Sequence, residues 1–430
     1  MTTKTANDVS LAKDGRGGFF AVDRRTWHFV CDLGMNAAVA YLVMARGTGG
    51  DNRTTKWSRN AVEDRTGISR SRAQDAINKL LKEGCLFLDP ASKPSYPKYR
   101  IVPAHEIKGC DGFFPAMPSD EHERVHAALG SEWISVPYAA SAKNLEKWGS
   151  RNPHGIAVNL VESGHATKGD FLKFRAIRFD VEAATRPDWI WIPNALVDGA
   201  AAEGAPVELV RQTNDVLALC LLVNLYGSQI LDENGGIHFR MIRQLYERHE
   251  IGKQGEWVVW GFTAGVWQVF PNAPFAEKHF AGTPQSDERK RAMDRFWKCW
   301  GRLRDFGLVS FVAHLVHADT AEGEILHPVA LAGNGLSVEQ ELGEAARNAG
   351  TMLITEGQLA RAKQKDVAML APVRRHIEGV QMLGIARLRY LPRTNRTLAF
   401  MAQESEWHQV LDQLRELAAR PLATSRGHQG

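Results

Sequence analysis

The residue types best suited to recognising another molecule lie in the run Ser-Arg-Ser-Arg-Ala-Gln at positions 69–74. An arginine guanidinium can donate two hydrogen bonds to guanine, and a glutamine amide matches the major-groove edge of adenine. Serine hydroxyls bond phosphate oxygens. We therefore expect Ser69, Arg70, Ser71, Arg72 and Gln74 to contact DNA, one bidentate arginine contributing about 1–3 kcal/mol of base discrimination. Which arginine reads a base and which anchors the backbone stays open.

Two other groups of basic residues are further candidates for phosphate contact. Lys93 and Lys98 lie in a proline-rich stretch between two short predicted strands. A second basic group lies on a predicted long helix and comprises Arg289, Lys290, Arg291 and Arg295. Acidic residues are interleaved with this second group, so a merely solvated helix face is the alternative interpretation.

One sequence motif indicates a different chemistry. His122, Glu123 and His126 spell H-E-x-x-H, in which two histidines one helical turn apart bind zinc and the glutamate acts on its water. The motif resembles that of the zincin metalloproteases, and Glu146 is an available third ligand. The polar residues before it and Arg124 inside it are instead typical of a capped surface helix. We therefore predict no metal site, no cofactor and no enzymatic activity.

Local patterns predict how the 69–74 run is positioned. Helices are expected at Met35–Arg46, capped by Asn36, and at Trp57–Arg65, begun by Ser58. The turn Thr66-Gly67-Ile68 then leads, through Ser69 as N-cap, into a helix ending at Gly84. The residues predicted to pack inward are Ala61, Val62, Ile68, Ala73, Ile77 and Leu80. Strands at Cys85–Leu88 and Tyr99–Val102 complete the order of a winged helix.

The segment TGISRSRAQDAINKLLKEGCL resembles the winged helix-turn-helix of bacterial regulators of the GntR and MarR types. The resemblance covers residues 57–103 and implies a duplex DNA partner. A second unit is predicted further along, because WIWIP (189–193) parallels FFAV and Thr213–Tyr226 parallels the helix Met35–Arg46. Two such units in tandem resemble the architecture of plasmid and phage replication initiators.

The predicted fold is therefore α+β, helix-rich, with tandem winged-helix domains, short wing hairpins and a C-terminal helix and hairpin region. The expected organisation is a flexible tail (1–18), a winged helix (19–103), a connector (104–186), a second winged-helix-like domain (187–320, insertion 251–283) and the C-terminal region (335–420). Within the later parts we expect helices at Ile237–His249, Ser286–Phe306, Val338–Lys363 and Glu404–Ala418, and strands at Phe171–Phe179, Leu308–Val316, Val380–Leu391 and Thr397–Gln403. Tryptophans 257, 260, 267, 297 and 300 are expected in the core.

Charge and composition support this interpretation. The net charge is only +4, but residues 1–103 carry 17 basic and 10 acidic residues, so the positive excess coincides with the helix-turn-helix. The five scattered cysteines indicate neither disulfides nor a thiolate zinc site. No secretion signal and no apolar run long enough to span a membrane are recognised. We expect a cytoplasmic protein that is associated with the nucleoid or a plasmid.

The predicted function is sequence-specific binding of double-stranded DNA, by a replication initiator or transcription regulator of a plasmid, phage or mobile element. A homodimer is compatible with this function, because dimers bind paired half-sites. No small-molecule ligand is identifiable. Two alternatives stay open: a zinc metalloprotease-type regulator using His122, Glu123 and His126, and a protein-assembly module whose winged helix does not bind DNA.

Overall fold

A computed structural model describes residues 18–93, 95–104, 107, 133–135, 176–178, 188–200, 204–271, 273–280, 286–317, 324–330, 335–377, 379–392 and 395–419. These residues form a mixture of helices and strands, and every strand pair among them is antiparallel. Residues 1–17 of the predicted tail, nearly all of the predicted connector and the end from Thr424 lie outside the described residues. Among the described helices, none combines the length and apolar character needed to span a bilayer.

The chain divides into one compact unit of residues 19–220 and another that begins at Leu221. The elements of the first unit, in chain order, are β1 (Phe19–Asp23), α1 (Arg24–Asp32), α2 (Met35–Arg46), β2 (Thr54–Thr55), α3 (Arg59–Thr66), α4 (Arg70–Lys82), β3 (Leu86–Leu88), β4 (Tyr99–Ile101), β5 (Trp133–Ser135), β6 (Ala176–Arg178), β7 (Trp189–Pro193), α5 (Ala195–Asp198) and α6 (Pro206–Gln212). Helix α7 (Val216–Tyr226) leads into the second unit.

Helix α2 is the centre of the first unit. It is buried on all sides except at Asn36 and the final Arg46, as expected for a helix that is apolar around its circumference. The predicted helix is confirmed, but the predicted cap is wrong: Gly34 is the N-cap and Asn36 is an exposed residue of the first turn. Helices α3 and α4 both pack against α2. Five of the six predicted core residues are buried there, and Ala61 is half-buried.

The carboxylate of Asp23 joins three separate parts of this unit. Asp23 is buried and caps α1 by accepting hydrogen bonds from the backbone N–H and hydroxyl of Thr26, at 3.2 and 2.8 Å. Its Oδ2 also accepts from the N–H of Ala104, at 3.1 Å, and its Oδ1 from the N–H of Asp188, at 2.9 Å. The two ends of the long segment between residues 104 and 188 therefore meet at one side chain.

The segment WIWIP forms strand β7, which pairs antiparallel with β1 from Phe19↔Pro193 to Asp23↔Trp189. The two apolar segments expected at the start of two separate units are thus paired strands of one small sheet. Each of them is short, and pairing satisfies the backbone groups that either strand alone would leave exposed. Of the strand predicted at Phe171–Phe179, Ala176–Arg178 forms β6, which pairs with β5, and the other residues lie outside the described ones.

The second unit is built on an antiparallel sheet with the strand order β13-β12-β15-β10-β11-β14, with β9 on β15 and β8 on β9. Its strands are β8 (Gln229–Ile230), β9 (Gly236–Ile237), β10 (Ile242–Gln254), β11 (Trp257–Val269), β12 (Val309–His317), β13 (Glu324–Pro328), β14 (Met369–Arg374) and β15 (Val380–Leu388). Its helices are α8 (Leu231–Asn234), α9 (Glu277–Phe280), α10 (Ser286–Asp305), α11 (Ser337–Met352), α12 (Glu356–Gln364), α13 (Asn395–Ala402) and α14 (Glu404–Ala419).

Two elements of this unit differ in type from their prediction. The helix predicted at Ile237–His249 is wrong, because most of it is strand β10, paired with β11 along almost its full length. The predicted insertion 251–283 therefore supplies a strand of the main sheet. The strand predicted at Thr397–Gln403 is also wrong and lies in helix α13. In both places non-local pairing or packing outweighs the local residue preference.

The other predicted elements of the second unit are present. Helices α10, α11 and α14 and strands β12 and β15 are confirmed, the predicted helix Val338–Lys363 being divided into α11 and α12. Strand β12 follows α10 and pairs with β13, as a wing hairpin would. However, β12 also pairs with β15 within the large sheet, so a second winged helix stays a prediction.

A buried polar network links the strands of this sheet to helix α11. Glu339 and Arg387 form a buried ion pair through Oε1 and Nη1, and Glu339 Oε2 accepts from the N–H of Leu336 at 2.7 Å. Arg387 Nη2 lies 3.0 Å from Nε2 of buried His314, whose Nδ1 lies 2.8 Å from the carbonyl of Val312. His314 is therefore neutral, with its proton on Nδ1. Burial, together with the nearby positive charge of Arg387, holds the pKa of His314 well below its ordinary value.

Substitution of Asp23 tests the junction at β1. We expect Asp23→Ala to lower the free energy of unfolding by about 3 kcal/mol or more, because buried N–H groups lose their acceptor. Asp23→Asn retains one acceptor oxygen, so its free energy of unfolding should lie between those of the unchanged chain and Asp23→Ala. Urea unfolding followed by circular dichroism measures the order. Asp64→Ala, at an exposed position of α3, is the control and should change stability by less than about 0.5 kcal/mol. Equal stabilities of Asp23→Ala and this control would contradict the role assigned to Asp23.

The network around His314 predicts a pH dependence. Below the ordinary histidine pKa, the unfolded chain takes up a proton at this position and the folded chain does not, so stability falls with decreasing pH. His327, whose pKa is lowered by burial, acts in the same direction. Between pH 7.5 and 5.5, the free energy of unfolding of His314→Gln should fall less steeply than that of the original chain. Below the ordinary histidine pKa, the two slopes should differ by up to about 1.4 kcal/mol per pH unit. Parallel pH profiles for the two proteins would contradict this assignment.

Candidate nucleic-acid interface

The turn between α3 and α4 depends on Gly67. This glycine ends α3 in the left-handed conformation, with φ = 64°, and its N–H donates to the carbonyl of Glu63 at 3.0 Å. Only glycine adopts this conformation without strain. The hydroxyl of Thr66 donates to the carbonyl of Val62 and accepts from the N–H of Ile68, which is buried. These contacts set the direction in which α4 leaves the turn.

Helix α4 buries one face and exposes its beginning. Ala73, Ala76, Ile77 and Leu80 are buried, and their spacing places them on one side of the helix. The exposed residues at the beginning of α4 are Ser69, Arg70, Ser71 and Arg72. Among the described residues, neither of these arginines has an ion-pair or hydrogen-bond partner. Two cationic side chains with five donors each therefore face solvent at one helix end.

The hydroxyl of Ser69 does not cap α4. Ser69 occupies the predicted N-cap position, but its side chain accepts no hydrogen bond from the helix, and the same is true of Ser58 at the beginning of α3. The positive end of the α4 dipole is therefore left without a side-chain acceptor. Backbone N–H groups in this position, next to exposed arginines, form an environment suited to a phosphate oxygen.

The side chain of Gln74 is already hydrogen-bonded inside the protein. Its Oε1 lies 3.4 Å from Nη1 of Arg59, and its Nε2 donates to Oδ1 of Asn78 at 2.9 Å. Neither partner was predicted from the sequence. Arg59 is brought to Gln74 only by the packing of α3 on α4, whereas the four-residue spacing of Asn78 from Gln74 was a local signal for their contact. The exposed Asp75 adds a negative charge beside this group. Bidentate contact of Gln74 with adenine would require both intramolecular bonds to be exchanged.

The helix-turn-helix is braced by residues from later in the chain. Asp198 of α5 accepts from Arg46 at 2.7 Å and from Arg65 at 3.1 Å. The guanidinium of Arg65 lies 3.9 Å from the ring centre of Trp57. In addition, Arg211 Nε donates to the carbonyl of Thr66 at 2.7 Å, directly before the turn glycine. The turn therefore has support that the resemblance over residues 57–103 does not include.

The hairpin predicted as a wing, strands β3 and β4, is part of a three-stranded sheet with the order β2-β4-β3, which we call the wing. Its tip contains exposed Lys93 and exposed Lys98, the two wing residues predicted from the sequence. Lys98 Nζ lies 3.6 Å from Oδ2 of Asp89, so part of its charge is already balanced. The tip is a hydrogen-bonded structure: the N–H of Asp89 donates to the carbonyl of Lys98, and that of Tyr96 to the carbonyl of Lys93.

The wing also exposes apolar side chains that sequence reasoning did not single out. Tyr96 is 81% exposed, Phe87 48% and Leu88 44%. Arg100 lies opposite Phe87 in the β3–β4 register, its guanidinium 5.7 Å from the centre of the ring. A two-residue period favours an inward position for one of Phe87 and Leu88, which explains why their joint exposure was not expected.

In the second unit, the four basic residues predicted on α10 are all exposed. Asp287, Glu288 and Asp294 are exposed beside them, and Arg295 Nη2 lies 3.5 Å from the carbonyl of His279. This face therefore carries both signs of charge, and both interpretations of it stay open. Trp300 is fully buried and Trp297 packs against it and Trp267, whereas Trp257 and Trp260 are partly buried, each with an arginine over its ring.

The H-E-x-x-H motif and Glu146 lie outside the described residues. Within the part of the chain that the structure describes, no three histidine, cysteine, aspartate or glutamate side chains are grouped so as to bind a metal ion. Comparisons with family models, curated proteins and solved structures gave no match to this chain.

The left-handed turn can be tested by Gly67→Ala. We expect a loss of about 1–2 kcal/mol in unfolding free energy, because an alanine is strained at this φ and its Cβ would lie 3.0 Å from Oε1 of Glu208. Gly50→Ala is the matched control, since a Cβ at Gly50 meets no atom within 4 Å. Chemical denaturation of the two variants gives the comparison, and a Gly67→Ala protein as stable as Gly50→Ala would show that the turn tolerates a side chain.

Proposed function

We propose that this protein binds double-stranded DNA with sequence preference, with α4 as its reading helix. The observation that carries the proposal is the exposed and unpaired state of Arg70 and Arg72, at the uncapped beginning of a helix whose opposite face is buried. A helix reads bases when its N-terminal side chains point away from the protein into a major groove. Burial of these arginines against the protein would have excluded this arrangement.

The other exposed groups receive supporting roles in the same proposal. Ser69 and Ser71 bond phosphate oxygens next to the helix end, and Lys93 and Lys98 contact the backbone beside the site. Gln74 positions Arg59 and Asn78 in the free protein and exchanges these partners when it contacts a base. The basic face of α10 is a second phosphate-contacting surface of the same DNA-binding protein.

The proposed cellular role rests on the resemblance of residues 57–103, and of the predicted tandem units, to known DNA-binding proteins. We propose a replication initiator or transcription regulator of a plasmid, phage or mobile element, acting in the cytoplasm on paired sites. Pairing of the sites results either from a homodimer or from two DNA-binding units in one chain. Sequencing of the duplexes that the purified protein retains from a random pool would identify the site and show whether it is repeated.

Removal of both arginines from α4 tests the proposal. The Arg70→Ala, Arg72→Ala double variant should weaken binding to the selected duplex by at least about tenfold, because each base-contacting arginine contributes about 1–3 kcal/mol. The salt dependence should also become shallower if either arginine contacts a phosphate. Fluorescence anisotropy over a salt series measures both quantities.

A matched control removes the same charge elsewhere. The Arg361→Ala, Lys363→Ala double variant changes two exposed basic residues of α12 and should bind as the unchanged chain does. Equal affinities of the α4 variant and the unchanged chain would exclude α4 as the reading helix. An unchanged chain with no salt-dependent affinity for any duplex would favour the protein-assembly alternative.

A further inference from the structure

We propose that the wing of the first unit binds unpaired DNA bases by stacking, so that the preferred substrate is a duplex with locally open base pairs. The proposal rests on the proposed function and adds a second recognition element to it. The wing surface is defined here as Phe87, Leu88 and Tyr96 together with the basic residues Lys93 and Arg100.

Apolar exposure is concentrated in this small surface. Six large hydrophobic side chains are exposed among the described residues, and three of them, Phe87, Leu88 and Tyr96, lie in the wing. Single exposed apolar residues need no explanation, but half of the exposed large hydrophobic side chains in one short hairpin indicate an interaction surface. The neighbouring Tyr99 is buried, which shows that the wing can accommodate an aromatic side chain in its core. Tyr96 is nevertheless exposed to solvent.

The charges around these side chains favour a polyanion over a second protein. Lys93 and Arg100 are exposed, and the guanidinium of Arg100 lies near the ring of Phe87. Alternation of aromatic rings with cations is the pattern that binds single-stranded nucleic acid, because bases stack on the rings and phosphates pair with the cations. Lysine is depleted in the cores of protein–protein interfaces, so Lys93 in particular favours a polyanion.

Stacking on Tyr96 favours unpaired bases over paired ones. Tyr96 lies at the tip of the hairpin and its backbone is held in place by the hydrogen bond to Lys93. A base in a continuous duplex has both faces covered by its neighbours, so a tyrosine ring can stack on it only after it unstacks. Where base pairs are already open, no unstacking free energy is needed and the contact is stronger.

The experiment compares two DNA probes with the full-length protein. One is a fully paired duplex containing the selected site, and the other is the same duplex with a short stretch of mismatches beside the site. We expect the open duplex to bind at least about fivefold more tightly, as one base stacked on an aromatic ring requires. Tyr96→Ala should abolish this preference, and Tyr96→Phe, which keeps the ring, should retain it.

Leu398→Ala is the matched control, because it removes a 67% exposed apolar side chain from the second unit. This variant should keep the preference for the open duplex.

The inference is overturned if the unchanged chain binds both probes equally, or if Tyr96→Ala keeps the preference. It is also overturned if Tyr96→Ala abolishes only a concentration-dependent self-association, which would make the wing an interface between copies. Salt-dependent binding of the paired duplex without a preference overturns this inference alone, whereas no binding of either probe also overturns the proposed function.

Discussion

The first unit depends on a buried carboxylate that accepts hydrogen bonds from distant parts of the chain. Asp23 ends strand β1, caps helix α1 and binds the backbone N–H groups of Ala104 and Asp188. Arg24, the next residue, reinforces the junction through a 2.7 Å ion pair with Asp188 and a backbone hydrogen bond to its carbonyl. Because buried N–H groups are costly to leave without an acceptor, these contacts hold β1, β7 and α1 in one arrangement. Helices α1 and α4 both pack against α2, so this arrangement includes the helix that carries Arg70 and Arg72.

The candidate interface combines a well-supported turn and helix with hydrogen-bond donors that have no partner in the protein. The support consists of the left-handed turn at Gly67, the buried face of α4 and the arginine pair on Asp198. Rigid positioning of this kind reduces the conformational entropy that is lost on binding. The exposed ends of Arg70 and Arg72 have no such restraint and can adapt to a base or a phosphate. Gln74 is intermediate between the supported turn and the unrestrained arginines. Both its amide oxygen and its amide nitrogen are hydrogen-bonded in the free protein, but the amide is exposed enough to exchange these partners.

The second unit uses its polar groups differently. Glu339, Arg387 and His314 are buried together, so their donors and acceptors are directed at one another and are not available to a partner. Breaking one member of such a network leaves a buried charge uncompensated, which makes the network sensitive to substitution and to pH. Among the exposed charges of this unit, those on α10 include both signs side by side. The electrostatic case for DNA contact is therefore stronger in the first unit, where the arginines at the beginning of α4 are unpaired.

Helices α3 and α4, the glycine turn between them and the β3–β4 hairpin could all be predicted from the sequence, because their signals are local. A glycine after a helical run, apolar residues at positions 73, 77 and 80, and alternation around a proline-rich tip each act within a few residues. The pairing of β7 with β1, the strand at Ile242–Gln254 and the bond between Gln74 and Arg59 could not be predicted in this way, because they depend on long-range contacts. Strand pairing and side-chain partners are set by residues far apart in the chain, and local periodicity carries no information about which distant segment will satisfy a given backbone group or amide.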